Sequence, residues 1–447
     1  MSNIDFYIFA AFIALLVSIG VFRARRVESE SDYLFASRKT KWLALTATLV
    51  MTEFNSATLI SFSSMGYAAG FWALMLPLVF LIALLFYALS VAKKWKAFDG
   101  VSVAGFFTKR YGAPIGKLTS LLLLIAMTGF SAIYVKSFTM LFEPLFPMLS
   151  GWMISFLLLT IIFLMNLRGG LMSIIRTDVF SFICLLIFFP TVAIFMSRGQ
   201  TTSIELVGQE ILPFRFVFSL IILTMFTYIL APWYGQKIFA AQSTKTAFWS
   251  VFASAFFVFL LYSCSIIATA YFRYQGHTID SIEQALPALI QTCLPNGLRG
   301  LAYALIFSTS ATTLTGIWNA MAAMWVGDFQ KKEEKGCNRG IEATLYFALT
   351  SFLLANILID RIFDSLILLN IPIAALSFGL LAGFYWKRTS SFGVLLSMLI
   401  GCAVGIAAYW MFKEEGCYTW YWAVYGIPII FLAGIVGSLV KKRQKIV

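Results

Sequence analysis

Residues 42–66 read WLALTATLVMTEFNSATLISFSSMG: an apolar run at each end with Thr52, Glu53, Asn55, Ser56 and Thr58 at its centre. The stretch is long enough to cross a lipid core of about 30 Å, which takes about 20 mostly apolar residues in a helix. A carboxylate at that depth costs at least about 2.5–3.5 kcal/mol on insertion scales, so Glu53 needs a partner. A mid-membrane acid beside hydroxyls and an amide suits a cation site, or a broken helix whose freed carbonyls serve ions. It equally suits a water-filled cavity in which Glu53 bonds only to nearby backbone.

The rest of the chain has the same solvent. Of 447 residues, 60% are hydrophobic and 12% charged, too few charges to cover a water-facing surface. Applying the length rule gives an all-α membrane protein with about thirteen transmembrane helices. The expected limits are 4–22, 42–66, 70–92, 118–142, 150–167, 174–197, 213–231, 246–272, 298–326, 341–359, 364–386, 392–412 and 419–440. Of the 33 Lys and Arg, 26 fall in alternate loops on one side and six on the other, with Lys136 inside a span. Lys237 counts among the 26. Cytoplasmic loops retain positive charge, so the N-terminus is expected outside and the C-terminus inside.

Other readings drop out. The formal net charge of +13 sits in short clusters between apolar runs and not along one polar face, which argues against nucleic acid. Six scattered cysteines form no CxxC pair, and no phosphate-binding loop, HExxH or GxSxG occurs, so no enzyme is expected. The first apolar run lacks a basic flank before it and reads as a retained helix. Loops near 23–41, 93–117 and 273–297 are too short for a soluble domain; Val101, Val103, Phe106 and Phe107 make the second an amphipathic or interfacial connector.

Three further segments carry polar groups. In 298–326, Thr309, Thr312, Thr313 and Gly316 share one helix face, able to offer neutral oxygens to sodium or to glue helices together. In 213–231, Thr224, Thr227 and Tyr228 precede a Pro232–Gly235 interruption where a kink is expected, with Trp233 and Tyr234 as interfacial anchors. Ser397, Gly401 and Gly405 form a small-residue stripe that reads as packing.

These pieces, in order, resemble the sodium:solute symporter family over nearly the whole chain. The sharpest is Gly169-Gly170-Leu171-Met172-Ser173 followed by Thr177-Asp178, similar to the family's GG-[LMF]-x-[SAP] signature and its TD. Others are Asp32-Tyr33 through Arg38, Gly66-Tyr67-Ala68-Ala69-Gly70, Gln236-Lys237 with Ala240-Ala241, the run from Leu294-Pro295 to Asn319 and Asp328, and Trp386-Lys387-Arg388. The resemblance implies a LeuT-like core of two inverted five-helix repeats. They would occupy 42–197 and 213–386, with a leading helix and loop at 1–41 and two peripheral helices and a tail at 387–447. It places a sodium site at Met51, Phe54, Thr309, Thr312 and Thr313. The solute would lie among Thr52, Glu53, Thr58, Thr224, Thr227 and Tyr228, and Asp178 would mark the ion's exit.

Where sugar symporters of the family carry sugar-binding side chains, this chain has Thr58, Pro77, Thr224 and Thr227. An amino acid or organic acid is therefore expected in place of a sugar. The implied function is sodium-coupled import of a small solute by alternating access, with sodium as the coupling ion and the lipid bilayer as surroundings. No obligate protein partner is evident. Proton coupling through Glu53 and a transporter-like sensor are the competing readings. The short tails and lack of glycan-dense outer loops point to a bacterial plasma (inner) membrane.

Overall fold

The computed structural model describes residues 2–22, 38–98, 100, 102–166, 170–200, 208–329, 338–359, 362–413 and 417–440. Gly169 of the glycine pair, the stretch 32–37, Val101, Arg168, and the basic residues at 23–26, 331–335 and 441–445 lie outside the described residues. Among the described residues all regular elements are helical, joined by one isolated parallel bridge between Thr40 and Ala241. Helix is what an apolar chain requires, because every backbone donor and acceptor must find its partner within the segment.

Nine of these helices are long and apolar enough to cross a membrane, ten if one bent pair counts as a span, and three shorter apolar helices accompany them. One of the nine, Ser56–Phe98, is divided at Gly70, whose φ of 60° ends helical geometry where the sequence expects a loop. The helices used below are α1 (Asn3–Phe22), α2 (Trp42–Glu53), α3 (Ser56–Ala69), α4 (Ala113–Phe142) and α5 (Gly170–Ser197). They continue with α6 (Phe214–Tyr228), α7 (Pro232–Phe239), α8 (Thr244–Tyr274), α9 (Leu298–Phe329), α10 (Ser391–Phe412) and α11 (Ile427–Val440).

Burial separates the centre from the rim. The most apolar stretch of α9 is 94% buried, against 39% for α10. So α9 is a core helix enclosed by α1, α2, α4, α5 and α7, and α10 packs on α11 and turns much of its surface outward. The Asp5 carboxylate of α1 fastens the start of α9: its Oδ1 accepts from the Gly297 N–H at 2.6 Å and the Gly300 N–H at 3.2 Å. Gly300 has to be glycine for this approach, since a Cβ there would fall on the Asp5 backbone.

The expected interfacial connector is a helix, Val103–Tyr111, started by the Ser102 hydroxyl accepting from the Gly105 N–H at 2.9 Å. Its Val103, Phe106 and Phe107 are buried in protein, with Phe106 4.5 Å from Phe384 between ring centroids. Of the two expectations the amphipathic one holds, and its apolar face is covered by the chain itself rather than by a membrane interface.

Candidate functional site

The stretch 42–66 is broken in the middle. α2 ends at Glu53, Phe54 takes φ −79° and ψ 71°, and α3 starts at Ser56 because the Asn55 side chain accepts from the Thr58 N–H at 2.9 Å. Asparagine is a favoured helix start for this reason. The freed Glu53 carbonyl accepts from Asn55 Nδ2 at 2.9 Å and from the Tyr262 hydroxyl of α8 at 2.5 Å. That hydroxyl also accepts from the Asn55 N–H at 3.3 Å, so α8 plugs the gap. A second break follows Tyr228, where α6 gives way to α7 at a 46° bend with Pro232 in the first turn, a position that tolerates its missing N–H.

Four of the five residues expected to hold sodium meet at the first break. The Thr313 hydroxyl is within hydrogen-bonding reach of three carbonyls, those of Met51 at 3.3 Å, Thr52 at 3.2 Å and, on its own helix, Thr309 at 2.9 Å, and can donate its one proton to any of them. The Thr312 hydroxyl donates to the Thr309 carbonyl at 3.1 Å and lies beside Asp178. Phe54 is the fifth. It sits in the break, fully buried between Phe189 and Tyr262, and no hydrogen bond ties it to the threonines among the described residues.

Beside this cluster lies an ion pair. Lys237 of α7 is 1% exposed, and its Nζ is 3.4 Å from Asp178 Oδ2, donates to the Thr48 carbonyl at 2.9 Å and bonds the Thr52 hydroxyl. The Thr48 hydroxyl donates to the same Asp178 oxygen. Lys237 is thus no loop cation, and the sequence-based charge count was one too high on its cytoplasmic side. The helix resumes after the bend and carries the side chain inward.

Glu53 faces the other way from this pair in its bonding. Its Oε2 accepts from the Tyr228 hydroxyl at 2.6 Å and its Oε1 from the Trp233 indole at 3.3 Å. Trp233 is 6% exposed and Tyr234 fully buried, with its hydroxyl 2.7 Å from that of Ser254, so neither is a membrane-interface anchor. Above Glu53 opens a cavity of ≈ 660 Å³, part of it open solvent, bounded by α3, α4, α6 and the 366–370 segment. Thr58, Thr224 and Tyr228 line it as expected for a solute. Thr52, Glu53 and Thr227 do not: Thr52 turns to the Thr48 carbonyl at 2.8 Å, Thr227 to that of Thr224 at 3.2 Å, and Glu53 lies behind Tyr228 and Trp233, which it hydrogen-bonds. Phe80, Phe130, Tyr134 and Ser61 line the cavity without having been singled out in the sequence, where aromatic residues in apolar runs carry no mark.

Among the described residues no group of three or more His, Cys, Asp and Glu could hold a metal ion. The oxygen set at the break is neutral and built from carbonyls and hydroxyls, which suits a hard monovalent cation handled as cargo.

Comparison with known proteins follows the same lines. The chain resembles sodium/glucose cotransporter 1 of Sus scrofa at 28% identity over 152 residues, 30% of this chain and 22% of the relative. The Oryctolagus cuniculus protein matches equally. The aligned stretch thus spans about a fifth of these relatives. In structure, a Na+-coupled sialic acid symporter in its substrate-bound outward-open state superposes with a TM-score of 0.79 at 16% identity, covering all of both chains. MhsT in complex with L-phenylalanine superposes at 0.55 and 13% identity over 90% of this chain and all of that one. An Eremococcus coleocola manganese transporter gives 0.55 and 12% over 90% and 95%. At these identities the likeness is one of LeuT-like transporter fold. The sodium:solute symporter profile matches residues 33–401, most of the sequence. The chain therefore belongs to the sodium:solute symporter family, a family of multi-pass membrane transporters and not of enzymes.

Proposed function

We propose that this protein is a sodium-coupled symporter that imports a small organic solute, an amino acid or organic acid in preference to a sugar, by alternating access. The observation that carries the reading is the meeting of the Met51 and Thr309 carbonyls with the Thr312 and Thr313 hydroxyls at the break in 42–66. Sodium binds there, with the Phe54 carbonyl completing the set, and the solute binds above Glu53. Binding of both favours one arrangement of the core over the other, which is all that coupling requires. Asp178, beside Thr312, marks the inward exit of the ion.

The two breaks support two inverted five-helix repeats at 42–197 and 213–386, since each would interrupt the first helix of its repeat. Thirteen spans with the N-terminus outside, the C-terminus inside and a bacterial plasma membrane as location complete the proposal.

Proton coupling is the second reading, and Lys237 favours it: its ammonium already supplies a cation among Thr48, Thr52 and Asp178. One experiment separates the two. Thermal unfolding of detergent-purified protein is followed in sodium against potassium chloride at several pH values, for wild type and Thr312→Ala/Thr313→Ala. A saturable sodium-specific stabilisation that the double variant loses supports the sodium site. Indifference to sodium with a response to pH supports proton coupling.

A further inference from the structure

The cavity above Glu53 is walled by rings. Phe62, Phe80, Phe130, Tyr134, Tyr228 and Trp233 line it, several meeting edge to face: Phe80 and Tyr228 at 5.5 Å and 85°, Phe130 and Trp233 at 5.5 Å and 65°. The face of an aromatic ring is the negative end of its quadrupole and attracts cations that come within about 6 Å of its centre. Two of these rings donate their polar hydrogen to one carboxylate, Tyr228 at 2.6 Å and Trp233 at 3.3 Å from Glu53. A phenol or indole that donates to an anion becomes more electron-rich, so the buried charge of Glu53 is relayed to the cavity through ring faces. Both carboxylate oxygens accept.

The charges around the site do not balance. Asp178 is paired with Lys237 at 3.4 Å, and that one ammonium, the only cation acting on Glu53 among the described residues, reaches it from beyond ion-pairing distance, so two carboxylates share one positive charge. No Lys, Arg or His lines the cavity among the described residues; its polar lining is Thr58, Ser61, Thr224, Asn370 and the two phenols. An anionic solute would bring a negative charge to a cavity whose lining offers no cation among the described residues. A positive group would meet aromatic rings, two of which hydrogen-bond the Glu53 carboxylate behind them. The Ser61 hydroxyl, buried on the cavity side of α3 with no hydrogen-bond partner, leaves one polar atom for a solute to engage.

We propose that the solute enters this cavity by a positively charged ammonium end, seated against Tyr228, Trp233 and Phe130 with Glu53 as its buried counter-charge. The inference rests on the solute-carrier reading above and narrows it: ammonium-bearing solutes fit and plain organic acids do not. Quaternary amines and zwitterionic amino acids share the recognised group.

The test is thermal unfolding of the purified full chain in fixed sodium chloride, with choline, glycine betaine, L-alanine or lactate added at matched concentrations. At least one ammonium compound is expected to stabilise saturably and lactate not at all. Choline alone identifies a quaternary-amine site, L-alanine a zwitterion site. Glu53→Gln and, independently, Trp233→Leu are expected to weaken the apparent affinity about tenfold or more. Because Trp233→Leu could fail to fold, Tyr228→Phe serves beside it: it keeps the ring and removes the bond to Glu53, and an intermediate loss is expected. Stabilisation by lactate, or by none of the ammonium compounds, overturns the inference. The sodium-against-potassium shift is read in the same samples before any solute is added. If that shift is present while the ammonium compounds do nothing, this inference falls and the sodium-coupled reading stands; if the shift is absent, the sodium-coupled reading itself falls.

Discussion

Two seams of small residues run between helices of this protein and use their smallness in opposite ways. Where α9 meets α2, a hydroxyl reaches across to backbone: that of Thr313 lies 3.3 Å and 3.2 Å from the carbonyls of Met51 and Thr52. Where α10 meets α11, the absence of side chain matters. A Cβ on Gly393 would fall against Ser438 and, at 2.5 Å, the Gly434 carbonyl, and one on Gly401 would lie 3.0 Å from the Ile430 Cγ1. Ser397, between them, turns its hydroxyl back on its own Val394 carbonyl at 2.8 Å. The first seam keeps oxygens where a cation can find them; the second brings backbones together. Small residues in a membrane helix therefore acquire a function only when their oxygens face a partner helix whose backbone is interrupted.

The comparison breaks most severely at the ion pair behind the first seam. Asp178→Asn leaves the Lys237 ammonium buried at 1% exposure without its counter-charge, a loss of about 3–5 kcal/mol. Thermal unfolding should show a large fall for Asp178→Asn and recovery of much of it in Asp178→Asn/Lys237→Met. If the double variant is no better than the single, the pair is not what holds this region.

A smaller effect is expected at the second seam. Gly393→Val overpacks the contact with α11 and should cost about 1–3 kcal/mol. The sodium-specific stabilisation should survive unchanged, because α10 contributes nothing to the break in 42–66. A variant that lost the sodium response along with its stability would join the two seams into one unit and erase the distinction.

How much of this was visible in the sequence depends on what marks a residue. That 42–66 holds something special was legible because Thr52, Glu53, Asn55 and Ser56 are polar at a depth where lipid tolerates few polar groups, but a break was only one of the readings they allowed, and its place at Phe54 came with the family resemblance. The threonine face of α9 was legible from spacing alone. Lys237 and Trp233 were not. They follow Pro232, where a sequence reading ends the span, and only the 46° resumption of the helix turns them inward to Asp178 and Glu53. The cavity's Phe80 and Phe130 were illegible for another reason: an aromatic residue facing lipid and one facing a solute are the same letter in the same apolar run. Thr52 and Thr227 show the converse, since polar residues beside a site can satisfy their hydroxyls on their own helix.

Thr313→Val sharpens the comparison with the smallest structural change. Valine keeps the branched shape of threonine and removes the oxygen, so packing between α9 and α2 is retained while the bonds to the Met51 and Thr52 carbonyls are lost. Interhelical hydrogen bonds of this kind average about 0.6 kcal/mol, so the melting temperature without sodium should barely move. The sodium-specific increment should nevertheless vanish or need much higher salt, because the removed oxygen is one the ion would use. At the second seam the opposite holds: Ser397→Ala removes a hydroxyl bonded to its own helix and should alter neither quantity. If Thr313→Val loses stability and keeps its sodium response, that hydroxyl is glue, and the first seam differs from the second in composition only.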